Sequence, residues 1–298
     1  MKKSELTKKI ILISVIFLIA VVANIFTTVM LKDDVRNGIW VKGDSMNAVD
    51  LDTLSKNGFE NIFLHSSAVE RFGQENVTNW IKKANSKNMK VHIWVQCFYS
   101  NNQWVNPINV SAENFNYPYF NSKVEEIEKY SEIEGLSGIQ LDYIRYPGNA
   151  HEYDFSYGIT GTNAITKFVS MVSNNLKDKC LTLSITLMPE REGKKYYGQD
   201  AWILSYYVDA VVPMAYAGNY KEDANWIKNI ASYFKGEAMW SKVCMGLQVY
   251  ESDSNITTLP VNVLKEHFQA ALDGGADGVA LFTYELMKNW FDLRELSS

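Results

Sequence analysis

The sequence has few residues that could hold a metal ion. It contains three cysteines and four histidines, with no C-x-x-C pair and no cluster of cysteine and histidine. Structural zinc sites are usually built from such closely spaced pairs, so we expect no metal centre. With an odd number of cysteines, at least one thiol stays unpaired.

Several motifs that mark other classes of protein are also missing. No G-x-G-x-x-G follows an apolar run, which weighs against dinucleotide binding, and we predict that the protein works without a cofactor. A G-x-S-x-G nucleophile elbow is absent too, which weighs against a wall peptidase or deacetylase. The net charge is −5 and no basic face is visible, so we expect no binding to nucleic acid.

A long apolar stretch near the N-terminus is the strongest compositional signal. Four lysines lie within residues 1–9, and residues 10–31 are then almost entirely apolar. Such a stretch can cross a hydrocarbon core of about 30 Å, with the lysines on the cytoplasmic side. We predict a single-pass anchor in the cell membrane over residues 1–31, with residues 10–31 in the lipid bilayer. A linker over residues 32–37 and an extracytoplasmic domain over residues 38–298 would follow. A cleaved signal peptide or a buried core helix is the alternative.

Short apolar, β-branched runs alternate with amphipathic stretches through the rest of the chain. This alternation is typical of βα units around a parallel sheet. The eight runs are residues 38–43, 61–67, 91–97, 138–144, 182–188, 210–216, 242–250 and 278–284, with helical patterns such as 76–88, 122–134, 164–176 and 261–273 between them. Eight units predict an α/β fold, a (β/α)8 TIM barrel, with an open doubly wound sheet as the alternative.

Polar residues at the ends of these runs are the candidates for chemistry, because the active sites of such barrels lie at the carboxyl ends of the strands. Strand alternation puts Gln140, Asp142 and Ile144 on one face of the fourth run. A carboxylate in an apolar strand is costly to bury alone. This position indicates either a catalytic role for Asp142 or an ion pair with a base such as Arg145.

A second carboxyl group near Asp142 would suit glycoside hydrolysis, which usually needs one group to protonate the leaving oxygen and one to attack the sugar or activate water. Glu190 follows the fifth run and is the predicted catalytic partner of Asp142, although a solvated acid in a charged loop fits it as well. Glu285, after the eighth run, is the reserve candidate. The predicted contacts with substrate are Trp40, His65, Gln96, Arg145, Tyr216, Gln248 and Glu285, with Trp94 and Trp104 as further aromatic candidates.

The segment GIQLDYIRYPG, residues 138–148, resembles the strand-four signature of a group of glycosyl-hydrolase-like barrels, roughly D-G-[IV]-[HQ]-[LF]-D-[YD]-[IVF]-R/F-[YF]-P. VDAVVPMAYAGNY, KVCMGLQVY and GGADGVALFTYE are similar to strands six, seven and eight of that group. The likeness spans roughly residues 38–290. It extends to barrels in cell-surface proteins of methanogenic archaea and, more distantly, to chitinase-like barrels. The resemblance implies that Asp142 is the functional carboxylate, that Tyr143, Arg145 and Tyr146 shape its surroundings, and that Tyr216 faces the substrate.

One departure from the chitinase-like barrels bears on mechanism. They end strand four with D-x-x-D-x-D-x-E, whose last residue is the general acid, whereas Ser137, Gln140 and Ile144 occupy three of those positions here. The resemblance therefore implies an acid from elsewhere, and we predict Glu190. We expect an exported, membrane-anchored glycoside hydrolase acting on cell-wall or extracellular polysaccharide. The alternative is a non-catalytic carbohydrate-binding or surface-adhesion barrel.

Overall fold

A computed structural model describes residues 35–100 and 102–296 of the chain. The predicted membrane anchor at residues 1–31 and the first part of the predicted linker lie outside the described residues. Within the described ranges, none of the helices combines the length and the apolar character needed to cross a lipid bilayer.

Eight parallel strands close into a barrel, which confirms the predicted (β/α)8 architecture. The strands in chain order are β1 (Gly38–Val41), β2 (Asn61–His65), β3 (Lys90–Gln96), β4 (Tyr99–Ser100), β5 (Gln103–Trp104), β6 (Ile108–Asn109), β7 (Asn114–Phe115), β8 (Gly138–Asp142), β9 (Thr182–Leu187), β10 (Ala210–Pro213), β11 (Lys242–Gln248), β12 (Tyr250–Ser252), β13 (Asn255–Thr258) and β14 (Gly278–Phe282). The barrel order is β1-β14-β11-β10-β9-β8-β3-β2, and each of these strands overlaps one predicted run. The short pairs β4-β5, β6-β7 and β12-β13 are antiparallel hairpins in the connecting loops.

Helices connect the barrel strands. In the described part of the chain the α-helices are α1 (Leu51–Lys56), α2 (Ser67–Phe72), α3 (Gln74–Asn85), α4 (Tyr117–Ser131), α5 (Gly161–Leu176), α6 (Gly193–Tyr197), α7 (Ala201–Ser205), α8 (Ala217–Tyr220), α9 (Ala224–Glu237) and α10 (Val261–Asp273). Short 3-10 helices cover Gly43–Ala48, Val110–Ala112, Ala150–Glu152, Ser156–Gly158, Tyr284–Leu286 and Leu293–Glu295. The prediction for residues 261–273 is confirmed to the residue.

Helix α4 begins five residues before the predicted residue 122. Asn116 caps it, since its side chain accepts a hydrogen bond from the backbone N–H of Tyr119. Pro118 lies in the first turn, where its missing N–H costs nothing. Tyr117, Tyr119 and Phe120 therefore lie in the helix and not in the loop before it.

The interior of the barrel holds its own buried cluster, separate from the apolar layer between strands and helices. Its members are Val35, Trp40, Phe63, Trp94, Ala210, Val212, Cys244 and Ala280, with Phe282 packed against them. Val35 is 1% exposed, so the end of the predicted linker is part of the packed barrel. Residue 138 has to be glycine, because a Cβ atom at this position would lie 2.2 Å from the Nδ1 atom of the buried His92.

His92 is a buried titratable side chain inside the barrel, with Nε2 at 2.9 Å from the Oδ1 atom of Asn61. Burial lowers the pKa of His92 from 6.5 to about 3, so the ring stays neutral in the fold.

The buried His92 should make the stability of the protein depend on pH. At pH values between these two pKa values, His92 binds more protons in the unfolded chain than in the folded one. The free energy of unfolding therefore falls as the pH drops, by up to about 1.4 kcal/mol per pH unit. We expect His92→Gln, which can still donate to Asn61 but does not titrate, to flatten this slope. Urea unfolding between about pH 7 and pH 4 measures it; an equal slope in both proteins contradicts the prediction.

Candidate active site

A cavity of about 760 Å³ opens at the carboxyl ends of the barrel strands. Its walls come from the ends of β3, β8 and β14 and from the segments that follow β9, β10 and β11. The lining includes Trp94, Gln96, Asp142, Tyr143, Arg145, Tyr216, Lys221, Tyr250, Asp253 and Phe282. Aromatic walls with a few converging polar groups are typical of small-molecule sites, and this end of the barrel is where such folds place their chemistry.

Asp142 is the last residue of β8 and is only 7% exposed in the wall of this cavity. Its Oδ2 atom accepts a hydrogen bond from Nε1 of Trp94 at 2.8 Å. Its Oδ1 atom accepts from the hydroxyl of Thr186 at 2.5 Å and from the backbone N–H of Tyr143 at 2.7 Å. All three partners are donors, which is the arrangement that suits a buried ionised carboxylate.

Arg145 does not neutralise Asp142. Its guanidinium lies over the ring of Trp104 at 4.7 Å, and Nη1 donates to the backbone carbonyl of Tyr146 at 3.1 Å. Across the described residues Arg145 forms no ion pair with any carboxylate, so the alternative explanation of Asp142 as a salt-bridge partner does not hold. The carboxylate is held by neutral donors, and the guanidinium lies at the cavity wall without a carboxylate partner in the described part of the chain.

The chain leaves β8 through a residue in the left-handed region, since φ of Tyr143 is 51°. Residues other than glycine rarely adopt this conformation, and where they do, a functional constraint is a common reason. The turn places the Tyr143 N–H on Asp142 and ends the strand two residues before Ile144. Ile144 packs in the apolar layer around the barrel, so the prediction that it shares a face with Asp142 is wrong. Gln140 does face the interior, where it accepts from Nε1 of Trp40 at 2.5 Å.

Trp94 stands between the main cavity and a second one. Its indole lines both, and the second cavity, about 570 Å³, is also lined by Lys42, Asp44 and His65. The ring of His65 meets Trp94 edge to face at 4.7 Å, and its Nδ1 accepts from the backbone N–H of Ser67 at 3.2 Å. Burial lowers the pKa of His65, which favours the neutral ring. His65 therefore lies beside the candidate site and contacts Trp94, whose Nε1 atom donates to Asp142.

Tyr216 and Gln96, two of the predicted substrate contacts, line the cavity with Asp142. The ring of Tyr216 stacks on Phe282 with centroids 5.6 Å apart and planes 21° apart. Burial, with the charge of Asp142 as a lesser cause, holds the pKa of Tyr216 well above its usual value. Its hydroxyl therefore stays protonated and can donate a hydrogen bond into the cavity.

Glu190 does not line the cavity that holds Asp142. It borders a separate space of about 150 Å³, and its Oε1 atom accepts the hydroxyls of Tyr197 and Tyr220, each at 2.8 Å. Its Oε2 atom is buried without a hydrogen-bond partner among the described residues. Tyr220 does line the main cavity, so Glu190 stands behind that wall.

Three other predicted contacts support the site from outside its walls. Trp40 is 1% exposed and packs against Phe282 at 5.9 Å, so its ring does not reach the cavity. Gln248 is also 1% exposed and ties the loop segments together, donating to the carbonyl of Tyr250 and accepting from the N–H of Asn219. Glu285 accepts from the backbone N–H of Lys42 at 2.8 Å and joins the ends of β14 and β1.

Four residues of the site were not found from the sequence: Thr186, Tyr250, Asp253 and Phe282. A signal existed for Thr186, because Ser184 and Thr186 are two residues apart in an apolar strand and so face the same side. Asp253 lies in the turn between β12 and β13, where its Oδ1 atom accepts the hydroxyl of Tyr250 at 2.7 Å. No periodicity marks a hairpin turn as part of a site. Over the ranges that the structure describes, no group of three His, Cys, Asp or Glu side chains could hold a metal ion.

Several solved structures of glycoside hydrolases have a similar fold. The glycoside hydrolase domain of PgaB (BpsB) from Bordetella bronchiseptica is 9% identical, with a TM-score of 0.65 over 85% of this chain and 95% of that one. A class V chitinase from Pseudomonas fluorescens Pf-5 is 17% identical, with a TM-score of 0.64 over 88% of this chain and 99% of that one. An endo-1,4-β-D-mannanase from Thermotoga petrophila RKU-1 is 13% identical, with a TM-score of 0.56 over 83% and 87%. At such identities the likeness shows a shared fold.

The sequence itself identifies the family. No curated protein matches the chain. A family described as "Putative glycosyl hydrolase domain" matches residues 74–235, which is more than half of the chain and includes β8 with Asp142. The chain therefore belongs to this glycosyl hydrolase family.

Proposed function

We propose that the protein hydrolyses glycosidic bonds of a cell-wall or extracellular polysaccharide, with Asp142 as a catalytic carboxylate. The observation that carries this proposal is the setting of Asp142, a buried carboxylate with three donors at the mouth of a barrel cavity with aromatic walls. Burying a carboxylate is costly even when donors compensate it, and titratable groups buried in a cleft at the catalytic end of a barrel are candidates for a functional site.

The donors fix where Asp142 can act. Trp94 and Thr186 hold the two oxygens from neighbouring strands β3 and β9, so the carboxylate keeps one orientation toward the cavity. Such a group can attack the anomeric carbon directly or take a proton from an attacking water. The first role needs the second carboxyl group about 5 Å away, and the second role needs it roughly 6.5–9.5 Å away.

Two carboxyl groups compete for the role of general acid. Glu190 follows β9, next to β8 in the barrel, and its position at a strand end supports the sequence-based prediction. Its side chain would have to turn past Tyr220 to reach a substrate, because Oε2 is buried outside the main cavity. Asp253 is exposed and lines the cavity with Asp142, which favours it on geometry.

The aromatic side chains supply the surface on which a sugar ring would lie. Tyr216 and Phe282 form a stacked pair, and Trp94 and Tyr250 also line the cavity. Aromatic rings offer a large, rigid apolar area against the apolar face of a pyranose, and hydroxyl groups at their rims can hold its oxygens. Gln96 adds an amide to the same wall.

The site of action rests on the sequence of the N-terminus. Lysines followed by the apolar residues 10–31 support an anchor that keeps the barrel outside the cytoplasm. We therefore propose an exported protein held in the cell membrane.

One experiment tests activity and location together. Cells producing the full-length chain are separated into membrane and soluble fractions, and each fraction is assayed for reducing ends released from wall and extracellular polysaccharides. We expect activity to sediment with the membranes and to be absent from fractions of cells lacking the protein. Binding of polysaccharide without any release of reducing ends would instead favour the non-catalytic, carbohydrate-binding alternative.

A further inference from the structure

The guanidinium of Arg145 lies in the wall of the main cavity and forms no ion pair with the described carboxylates. It is partly buried, and its one hydrogen bond to the described residues is the bond from Nη1 to the carbonyl of Tyr146. A guanidinium has five N–H groups in a planar fork, so most of its donors remain available. Partly burying a cation without an anionic partner is unfavourable, which makes this arrangement one that a ligand can complete.

Three aromatic rings hold the guanidinium in place. Its central carbon lies 4.7 Å from the ring of Trp104, 5.5 Å from Tyr143 and 5.5 Å from Tyr197. These rings belong to three separate segments, namely β5, the turn after β8, and α6. Cation–π contacts of this kind fix the position of an arginine without neutralising its charge. The donors are therefore oriented before any ligand arrives, which lowers the entropy lost on binding.

The other charged groups of the cavity do not neutralise Arg145. Asp142 accepts from Trp94, Thr186 and Tyr143, and Asp253 accepts from Tyr250. Lys221 lines the same cavity, is exposed, and forms no ion pair within the described ranges. Neither Arg145 nor Lys221 therefore has an anionic partner among the described residues, whereas both carboxylates that line the cavity already accept hydrogen bonds.

We propose that the substrate is an anionic glycan, with a sugar carboxylate or sulfate bound by the fork of Arg145 and assisted by Lys221. This inference rests on the proposed function, since it names the class of glycan that the same cavity takes. A carboxylate or sulfate presents two oxygens in the geometry that a guanidinium matches with parallel hydrogen bonds. A neutral polysaccharide would leave these donors unused.

Binding to the full-length protein tests the proposal. The probes are short oligogalacturonides, hyaluronan oligosaccharides, the carboxyl-reduced neutral forms of both, and sulfated galacto-oligosaccharides of similar length. Asp142→Asn is used as the background, so that no probe is cleaved during titration calorimetry. We expect at least one anionic probe to bind with a Kd of about 1 mM or tighter and its neutral counterpart to bind more weakly. The carboxylate and sulfate arms show which oxyanion is preferred.

Substitutions at Arg145 give the expected effects. Arg145→Gln should weaken binding of the anionic probe by roughly 10- to 100-fold, while binding of the neutral counterpart changes little. Arg145→Lys should fall between, because it keeps the charge but loses the fork. Arg191→Gln is the matched control, since Arg191 also lies over a ring, that of Tyr233 at 5.4 Å, but does not line this cavity. If Arg145→Gln only removes charge recognition, binding of the neutral probe is unchanged. If it disturbs the packing of Trp104, binding of the neutral probe weakens as well.

Three results would overturn the inference: no anionic probe binds at about 1 mM, neutral and anionic forms bind equally, or Arg145→Gln weakens both forms alike. Asp142-dependent cleavage of a neutral polysaccharide alongside such a result would leave the proposed hydrolase intact. Arg145-dependent binding of an anionic probe that is never cleaved by the wild-type protein would support the inference and count against the hydrolase.

Discussion

Asp142→Asn should lower kcat on the polysaccharide by at least about 10³-fold, the order expected when a catalytic base or nucleophile is removed. The amide is similar in size and remains in the cavity wall, but it can neither attack an anomeric carbon nor accept a proton from water. Substrate binding should change far less than kcat, because the aromatic walls and Arg145 are untouched. Steady-state release of reducing ends by purified full-length protein measures kcat and KM, and KM reports binding where the chemical step is slower than substrate dissociation.

The stability of this variant has to be measured as well. Both carboxylate oxygens of Asp142 accept hydrogen bonds, from Trp94 and from Thr186. An asparagine has only one oxygen, so its N–H₂ group must face either Trp94 or Thr186. One donor then loses its acceptor, at a cost of about 1–3 kcal/mol. Asp200→Asn is a suitable control, because Asp200 is also buried and caps α7 through the N–H of Ile203, but lies outside the cavity. Equal loss of activity in both variants would mean that Asp142 matters only for folding.

The anomeric form of the first product assigns the role of Asp142. Retention, followed by proton NMR during early turnover, identifies Asp142 as nucleophile, and inversion identifies it as base. Trp94→Phe is a milder variant for comparison, since it keeps an aromatic ring in the wall and removes one hydrogen-bond donor from the carboxylate of Asp142. Full activity in Asp142→Asn would remove this residue from the mechanism, whatever the fate of Trp94→Phe.

The barrel could be predicted because its determinants repeat along the chain. Buried parallel strands need continuous apolar runs, and helices that cover them need a 3.6-residue pattern, so eight repeats define the closed sheet. The place of Asp142 follows from the same rule, since the carboxyl ends of the strands of a parallel barrel lie at the face where such folds carry their active sites. Gln140 faces inward with it for the same reason.

The local geometry of the site could not be predicted because it depends on single turns. Strand alternation predicts that Ile144 faces the same side as Asp142. The left-handed backbone conformation of Tyr143 interrupts the strand, so the side chain of Ile144 points outward into the apolar layer. Trp40 lies on an inner strand face, yet its depth in the barrel decides that it supports Phe282 instead of meeting a substrate. Asp253 reaches the cavity because a hairpin folds over the mouth, and no run or period in the sequence indicates that fold.

The general acid is identified by comparing two leaving groups in two variants, Glu190→Gln and Asp253→Asn. A polysaccharide has a poor leaving group that must be protonated, so the variant lacking the acid should lose about 10²- to 10⁴-fold in kcat/KM. A dinitrophenyl glycoside of the sugar released leaves without protonation, and the same variant should cleave it at nearly the wild-type rate. Asp142→Asn should fail on both substrates, because attack on the anomeric carbon is still required.

The position of each acid sets what its variant should show. Asp253 shares the cavity with Asp142, so a selective loss in Asp253→Asn requires no rearrangement of the site. Glu190 receives two tyrosine hydroxyls on Oε1, so a selective loss in Glu190→Gln would mean that substrate binding moves Tyr220 and exposes Oε2. Glu192→Gln, an exposed acid of the same loop, controls for general loss of charge there. If neither variant separates the two leaving groups, both assignments are wrong, because a two-carboxylate mechanism requires an acid whose removal the better leaving group offsets.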